Sequence, residues 1–439
     1  MAPLETPTSA SSRAPIGLTS TLAVLLAAAG TVHAHPPPQA SGVAVSDDGR
    51  HLAVRLERGI VVSGDAGATW ALRCNEAAGF GLSDVPDMVW VDDELLLATA
   101  SGLSRDAAGC DRRPGWPELD GTAVSALVKE GPKVWLVTSQ AGVDNGLWVS
   151  EDGGKDWIPS GTELLNTFIN ELAIADGGRL YAAGVELGVS MEIARFVRHT
   201  DDAGETWEGG LVEVTHDEDR IVLLGSVPGA PDVVFVTTKT YESSEDHDRV
   251  LRSDDGGRSF EQVYSAEGVT GMAAADGSTL WLSSEEGLAT SVDGGLTFEP
   301  VPGMDAALGC AVWTGEALLL CGEHFVDHFG LARWEGTEEP VTLMAWTDVT
   351  KGVECGDTLC DDGWADWQKE IFPDRADPDP DPTADPAPEA DVDPGPDVGS
   401  GAADGGDPPA SSGGGSRDSG CAQSGSRTLS ALAALGARR

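Results

Sequence analysis

One eight-residue pattern recurs through the middle of the chain: Ser or Thr, any residue, Asp, any, Gly, any, any, then an aromatic. It occurs as Ser63-Asp65-Gly67-Trp70, Ser150-Asp152-Gly154-Trp157, Thr200-Asp202-Gly204-Trp207, Ser253-Asp255-Gly257-Phe260 and Ser291-Asp293-Gly295-Phe298. A degenerate copy is read at Ser104-Asp106, with Ala108 in place of the glycine, and Gly330-Leu331-Ala332-Arg333-Trp334 falls where a seventh is due. Successive aspartates from Asp65 to Asp293 lie 41, 46, 50, 53 and 38 residues apart. That period fits four-stranded propeller blades rather than helical repeats with their tighter register. Upstream of each copy run two short alternating apolar segments joined by Asp-Gly or Gly-Gly turns, as in GVAVSDDGRHLAVRLERGIVVS and VTGMAAADGSTLWLSS. This is hairpin chemistry. Runs such as VFVTT and LLLATA are apolar on both sides of the alternation and read as central strands packed by neighbours on both faces.

The residue types of the pattern have a local physical reason. A tight turn between antiparallel strands leaves backbone N–H groups unpaired, and an Asp carboxylate with a Ser or Thr hydroxyl accepts them from within the loop. Glycine supplies a positive φ, and the aromatic ring folds back over the hairpin to bury a large apolar area. On these residues the chain resembles the Asp-box, or bacterial-neuraminidase, repeat of sialidases, sortilin-type receptors, xyloglucan-cleaving enzymes and plant photosystem-assembly propellers. The resemblance implies an all-β, seven-bladed propeller of four-stranded antiparallel blades. The first unit begins at about Gly42 and the seventh ends near Val349, so over residues 42–349 each blade is expected to supply its own four strands without a swap between chain ends. The resemblance also implies that the boxes are structural and sit at blade edges. It does not imply an activity, because this fold carries unrelated functions.

The residues give little sign of catalysis. Sialidases of that family carry an Arg-Ile-Pro segment, an arginine triad and a Tyr nucleophile; no such segment follows the leader, and the only tyrosines are Tyr181, Tyr241 and Tyr264. Other Asp-box glycosidases work with a pair of carboxylates whose spacing is spatial, so the 73 acidic residues leave that alternative open. Neither a Gly-x-Ser-x-Gly elbow nor a phosphate loop nor a His-Glu-x-x-His helix is present. No catalytic residue and no cofactor are therefore assigned. Glu323-His324-Phe325-Val326-Asp327-His328 gathers two imidazoles and two carboxylates, but in an extended loop the histidines stand about 13 Å apart, and no metal is assigned either.

Seven cysteines invite pairing in an oxidising compartment. Cys310 and Cys321 flank a hairpin whose ends lie side by side; Cys74 with Cys110 and Cys355 with Cys360 are the other local pairs, and alternative pairings of the last four body cysteines stay open. Cys421 is left over.

The two ends of the chain set its address. Residues 1–34 read as a secretory signal: Arg13, a 12-residue uncharged run from Leu18 to Ala29, then Val32-His33-Ala34 before His35. The run is shorter than the ~20 residues of a spanning helix. Residues 350–375, with Cys355, Cys360, Trp364, Trp367 and Phe372, are read as a small cap over the seam between the first and last blades. Residues 376–419 form an acidic Pro/Gly-rich stalk, with ten acidic residues, nine prolines and no base between Ala376 and Ala410. Residues 420–439 resemble the C-terminal sorting tag of myxobacterial surface proteins: Gly420-Cys421, an apolar run from Leu429 to Gly436, and Arg438-Arg439. That resemblance implies that Cys421 is the modified position; the alternative is an unstructured end with a stray thiol. The formal charge of −46 opposes nucleic acid and anionic lipid as partners. The expectation is an exported, surface-associated monomer that binds protein or glycan, touching the membrane only through its tag, with the paired-carboxylate hydrolase as the alternative.

Overall fold

The computed structural model describes residues 39–372 apart from 58, 82–84, 108–111, 115, 142, 144, 165, 189–191, 217–219, 240–246, 323–327, 337–338 and 353–360. Seven antiparallel sheets follow one another along the chain, at residues 42–74, 88–114, 124–164, 167–211, 220–266, 271–300 and 308–344, which we number blades 1 to 7. In each, the strands are hydrogen-bonded in sequence order from the innermost to the outermost. Innermost strands of successive blades adjoin, and Gly42–Val45 of blade 1 meets Leu308–Trp313 of blade 7, so the ring closes as an all-β seven-bladed propeller.

No single core holds this ring. Seven apolar clusters lie among the described residues, one between each neighbouring pair of blades. That arrangement explains the near-continuous apolarity of the second strands: Leu95, Leu96 and Leu97 are all buried, but Leu96 packs toward blade 3 whereas Leu95 and Leu97 face blade 1. Residues pointing to opposite faces of a sheet are equally removed from water when a sheet lies on either side.

The closure differs from the expectation that every blade uses only its own four strands. Blade 1 carries a fifth, Val349–Gly352, which pairs in parallel with Trp70–Cys74 through Val349↔Trp70 and Lys351↔Ala71. Ala40 N–H reaches Gly322 O of blade 7 from the other direction, at 3.5 Å. Over the same seam lies the helix Asp361–Ile371, whose Trp367 and Ile371 are buried among residues of blades 1 and 7. Trp367 meets Trp346 edge-on at 5.4 Å between ring centroids and 87° between planes. Cys310 and Cys321 are cross-strand partners in blade 7, joined as a disulfide with Cα atoms 4.9 Å apart. Cys74 is also in a disulfide. Cys110, Cys355, Cys360 and Cys421 lie outside the described residues.

Candidate functional site

The five repeated turns are built alike. In blade 1, Ser63 Oγ donates to Asp65 Oδ1 at 2.9 Å and accepts Gly67 N–H at 2.9 Å, while Asp65 accepts Thr69 N–H at 2.8 Å and Thr69 Oγ1–H at 2.7 Å. The same ladder recurs around Asp202 with Thr206, Asp255 with Ser259, and Asp293 with Thr297. At Asp152 the corresponding residue is Asp156, which gives only its backbone N–H, at 3.0 Å. All five carboxyls are held below the ordinary carboxylate range. The hydroxyl donor is the leading cause at Asp65, Asp202, Asp255 and Asp293, and the backbone N–H of Asp156 at Asp152. Asp255 is lowered to about 2, first by the Ser259 hydroxyl. The Ser or Thr just before the aromatic is a member of this network that the eight-residue pattern passed over, although it stands at that place in four copies of five.

These turns also work between blades. Gly295 has φ +81°, and a Cβ there would sit 2.3 Å from the Phe235 ring of blade 5; one on Gly257 would meet Val197 of blade 4 at 3.1 Å. Each glycine lets the turn of one blade lie against the blade before it. Trp70, Trp157 and Phe298 are buried, whereas Trp207 and Phe260 are half-buried. The degenerate copy is displaced from this position. The motif residues Ser63, Thr200 and Ser291 pair with Leu52, Leu180 and Leu280, the first or second residues of their second strands, but Ser104 pairs with Leu97 inside its hairpin and donates to Ala78 O at 3.3 Å. Spacing alone could not separate a turn serine from a strand serine three residues earlier.

The tyrosines and several arginines bind blade to blade. Tyr181 is fully buried and its hydroxyl donates to Pro231 O of blade 5 at 2.6 Å; burial is the leading cause of its raised pKa. Arg179 holds Asp201 at 2.7 Å and Asp232 at 2.5 Å. Arg55, half-buried beneath Gly42, donates to Pro86 O, just before blade 2, at 2.8 Å. Tyr264 packs on Phe298 with ring centroids 5.8 Å apart. Tyr241 and residues 323–327 of the weighed metal segment lie outside the described residues, and no group of three metal-ligating side chains occurs among the described ones.

The ring's surface is not uniform. Turns joining first to second and third to fourth strands share one face, here the motif face. In blades 3, 4 and 5 the residues after the motif Ser/Thr and after its Gly are charged: Glu151 and Lys155, Asp201 and Glu205, Asp254 and Arg258. Asp201 pairs with Arg179, and Arg258 with Glu208 of blade 4. In blade 6 the same places hold Val292 and Leu296, which are 78% and 54% exposed. Gly294 N–H in that turn donates to Ser278 O at 3.0 Å, three residues before Trp281. Trp281, half-buried, stacks on the half-buried Trp313 of blade 7 at 5.3 Å and 26°. The sequence here is acidic, with eleven Asp and Glu and no Lys or Arg in residues 259–332, between Arg258 of blade 5 and Arg333 of blade 7. Glu261, Asp276, Glu299 and Glu316 are exposed at motif-face turns of this sector. A scan for charge by blade would have found this stretch, and a comparison of the repeats position by position would have found the apolar pair.

No protein-family model matches the chain, and no curated protein matches it in sequence. Among solved structures it is similar to a GH74 xyloglucanase from Xanthomonas campestris, at 15% identity and TM-score 0.43, over 70% of this chain and 53% of that one. This chain thus spans about half the length of that xyloglucanase. It is similar to YCF48 bound to D1 peptide at 15% identity and TM-score 0.43, over 68% of this chain and 92% of that one. The Hadza microbial sialidase Hz136 matches at 15% identity and TM-score 0.39, over 62% of this chain and 71% of that one.

Proposed function

We propose that this chain is a non-catalytic recognition propeller that takes a protein or glycan partner on the motif face of blades 6 and 7. One observation carries the reading: Val292 and Leu296 stand exposed at the positions where blades 3 to 5 place charges. Apolar side chains held out on a rigid turn of an acidic sector make a docking surface rather than a solvated tip. The reading extends to the rest of the chain: Asp-box turns, an export signal over residues 1–34, a stalk at 376–419 and a sorting tag at 420–439 with Cys421 modified.

The rival reading, a glycoside hydrolase with paired carboxylates, has one observation of its own. On the opposite face of blade 6, Glu286 accepts Glu267 N–H at 3.2 Å and stands 3.2 Å from His247 Nδ1. Peptide and glycan arrays together with a hydrolysis screen separate the two. A recognition module retains an array ligand that Val292→Asp with Leu296→Asp weakens at least tenfold, and it cleaves nothing. Hydrolysis abolished by Glu286→Gln, with no array ligand, overturns it.

A further inference from the structure

The register of the blades marks one repeated position beside the motif. In each blade that carries it, one residue of the second strand pairs with the motif Ser or Thr, and the residue after it faces the next blade: Ala53, Trp135, Tyr181, Phe235 and Trp281. The first four are buried. Turns of the following blade cover the aromatic ones: Phe235 lies against Gly295 and meets Phe298 edge-on at 6.3 Å, Tyr181 donates to Pro231 O, and Trp135 clusters with Ala203 and Trp207. Blade 7 lacks the residues for such a turn. Trp334 pairs with Leu318 in the place of the motif serine, and Gly336, Glu338 and Val341 follow where Asp, Gly and the aromatic stand elsewhere. Val341 is 64% exposed, whereas Phe298, in the same place of blade 6, is buried. Trp281 is accordingly half-buried, and the blade 7 side chain it stacks on is Trp313. Other blades have Val45, Lys129, Ile174, Ser226 or Ala274 at the place of Trp313.

We propose that a neutral glycan seats on the stacked indoles of Trp281 and Trp313, in the notch between blades 6 and 7 where the seventh motif is missing. The inference rests on the motif face of blades 6 and 7 being the recognition surface, and it names the class of ligand. A sugar ring has an apolar C–H face and a rim of hydroxyls, so it takes an aromatic plate with a few polar groups at its edge. The row that holds Trp281 supplies both. Trp281 pairs with Thr290, and Thr290 with Glu299, so the three share one face of blade 6 and Glu299 stands about 10 Å from Trp281 at ~4.8 Å per strand. Thr290 Oγ1 donates to Leu280 O at 3.2 Å and has lone pairs to accept a sugar hydroxyl, and the exposed Glu299 accepts another. In blades 4 and 5 the place of Thr290 holds His199, 5.5 Å from the Tyr181 ring, and Arg252, 5.9 Å from the Phe235 ring. Threonine is too short to cover Trp281 in that way. Charge selects against an anionic sugar, since Glu299 is the one charged residue of the row. A single exposed carboxylate adds little attraction for a cation. Arg333 is held by Glu335 near Glu316, and it pairs across its strand with Leu319, which packs toward blade 1.

An array of neutral and anionic glycans, followed by tryptophan fluorescence titration of the full chain, tests the seat. Cellohexaose, xylohexaose and mannohexaose serve as neutral probes and oligogalacturonate as the anionic one. At least one neutral glycan is expected to bind and shift the emission, and oligogalacturonate to bind at least tenfold more weakly. Trp281→Ala, accepted only if its melting temperature is unchanged, is expected to weaken the neutral ligand at least tenfold, and Trp281→Phe, which keeps a ring, less. Glu299→Ala, a change at an exposed rim position that leaves the core intact, is expected to weaken it at least threefold. Neutral-glycan binding that both Trp281→Ala and Glu299→Ala leave unchanged overturns the proposal, as does oligogalacturonate bound as tightly as the neutral probes. A peptide-array ligand that depends on Val292 and Leu296, with no neutral glycan bound, sinks this inference and leaves the recognition reading standing; blank peptide and glycan arrays sink both.

Discussion

At the scale of single residues, the repeated turn is a small closed network whose parts have different weights. Ser253 is buried, and its hydroxyl both accepts Gly257 N–H at 2.8 Å and donates to Asp255 at 2.8 Å. Ser253→Ala leaves a buried N–H without an acceptor, a loss of about 1–3 kcal/mol; the expected outcome is a lower urea midpoint at unchanged slope. The aspartates act through pH. A carboxyl whose folded-state pKa is depressed contributes stability that is complete above its unfolded value and is lost as pH falls toward its folded value. Asp255, lowered to about 2, and its four counterparts share that sign. The melting temperature is therefore expected to hold at pH 5 and to fall from about pH 4 downward. Asp255→Asn should start lower and show a shallower acid slope; identical slopes in both proteins count against this role. These networks were legible in the sequence because every partner lies within eight residues. Their second use was not, since Phe235, which Gly295 lies against, belongs to the preceding blade and carries no mark of it.

At the scale of elements, the hairpins announced themselves through alternation and turn residues, whereas the strap that follows blade 7 did not. Val349–Gly352 is four residues long and pairs with a strand from the other end of the ring, so no local pattern reports its partner. The cluster it joins includes Trp346, Val349, Trp367 and Ile371 together with Leu52, Val54, Leu319 and Leu331 from the two blades. Trp367 is 1% exposed there. Trp367→Ala removes a large buried ring at a cost of about 3–5 kcal/mol. The expected result is a clearly lower unfolding midpoint, and a midpoint within error of the parent shows that the helix only rests on the ring. The apolar pair of blade 6 was hidden for a different reason: Val292 and Leu296 occupy the free positions of the pattern, which the pattern itself ignores.

At the scale of the whole molecule, stability is distributed over seven interfaces, each a contact between neighbours, so the ring behaves as a closed one-dimensional array. Its count was readable because repetition gives the blades one by one; how it shuts was not, because closure is a property of the two ends together. Local opening at the seam should therefore be separable from global unfolding. In Trp367→Ala, amides of Gly42–Val45 and Leu308–Trp313 are expected to lose hydrogen-exchange protection while those of Thr167–Ala175, on the far side of the ring, keep it. Uniform loss would make the ring a single cooperative unit.

Both chain ends of the ring meet at that one place: Ala40 arrives on blade 7, and the strap departs across blade 1. Under the proposed stalk at residues 376–419, traction would pass first to Trp367 and the parallel strand, so the clasp of the ring is also the place where load enters it.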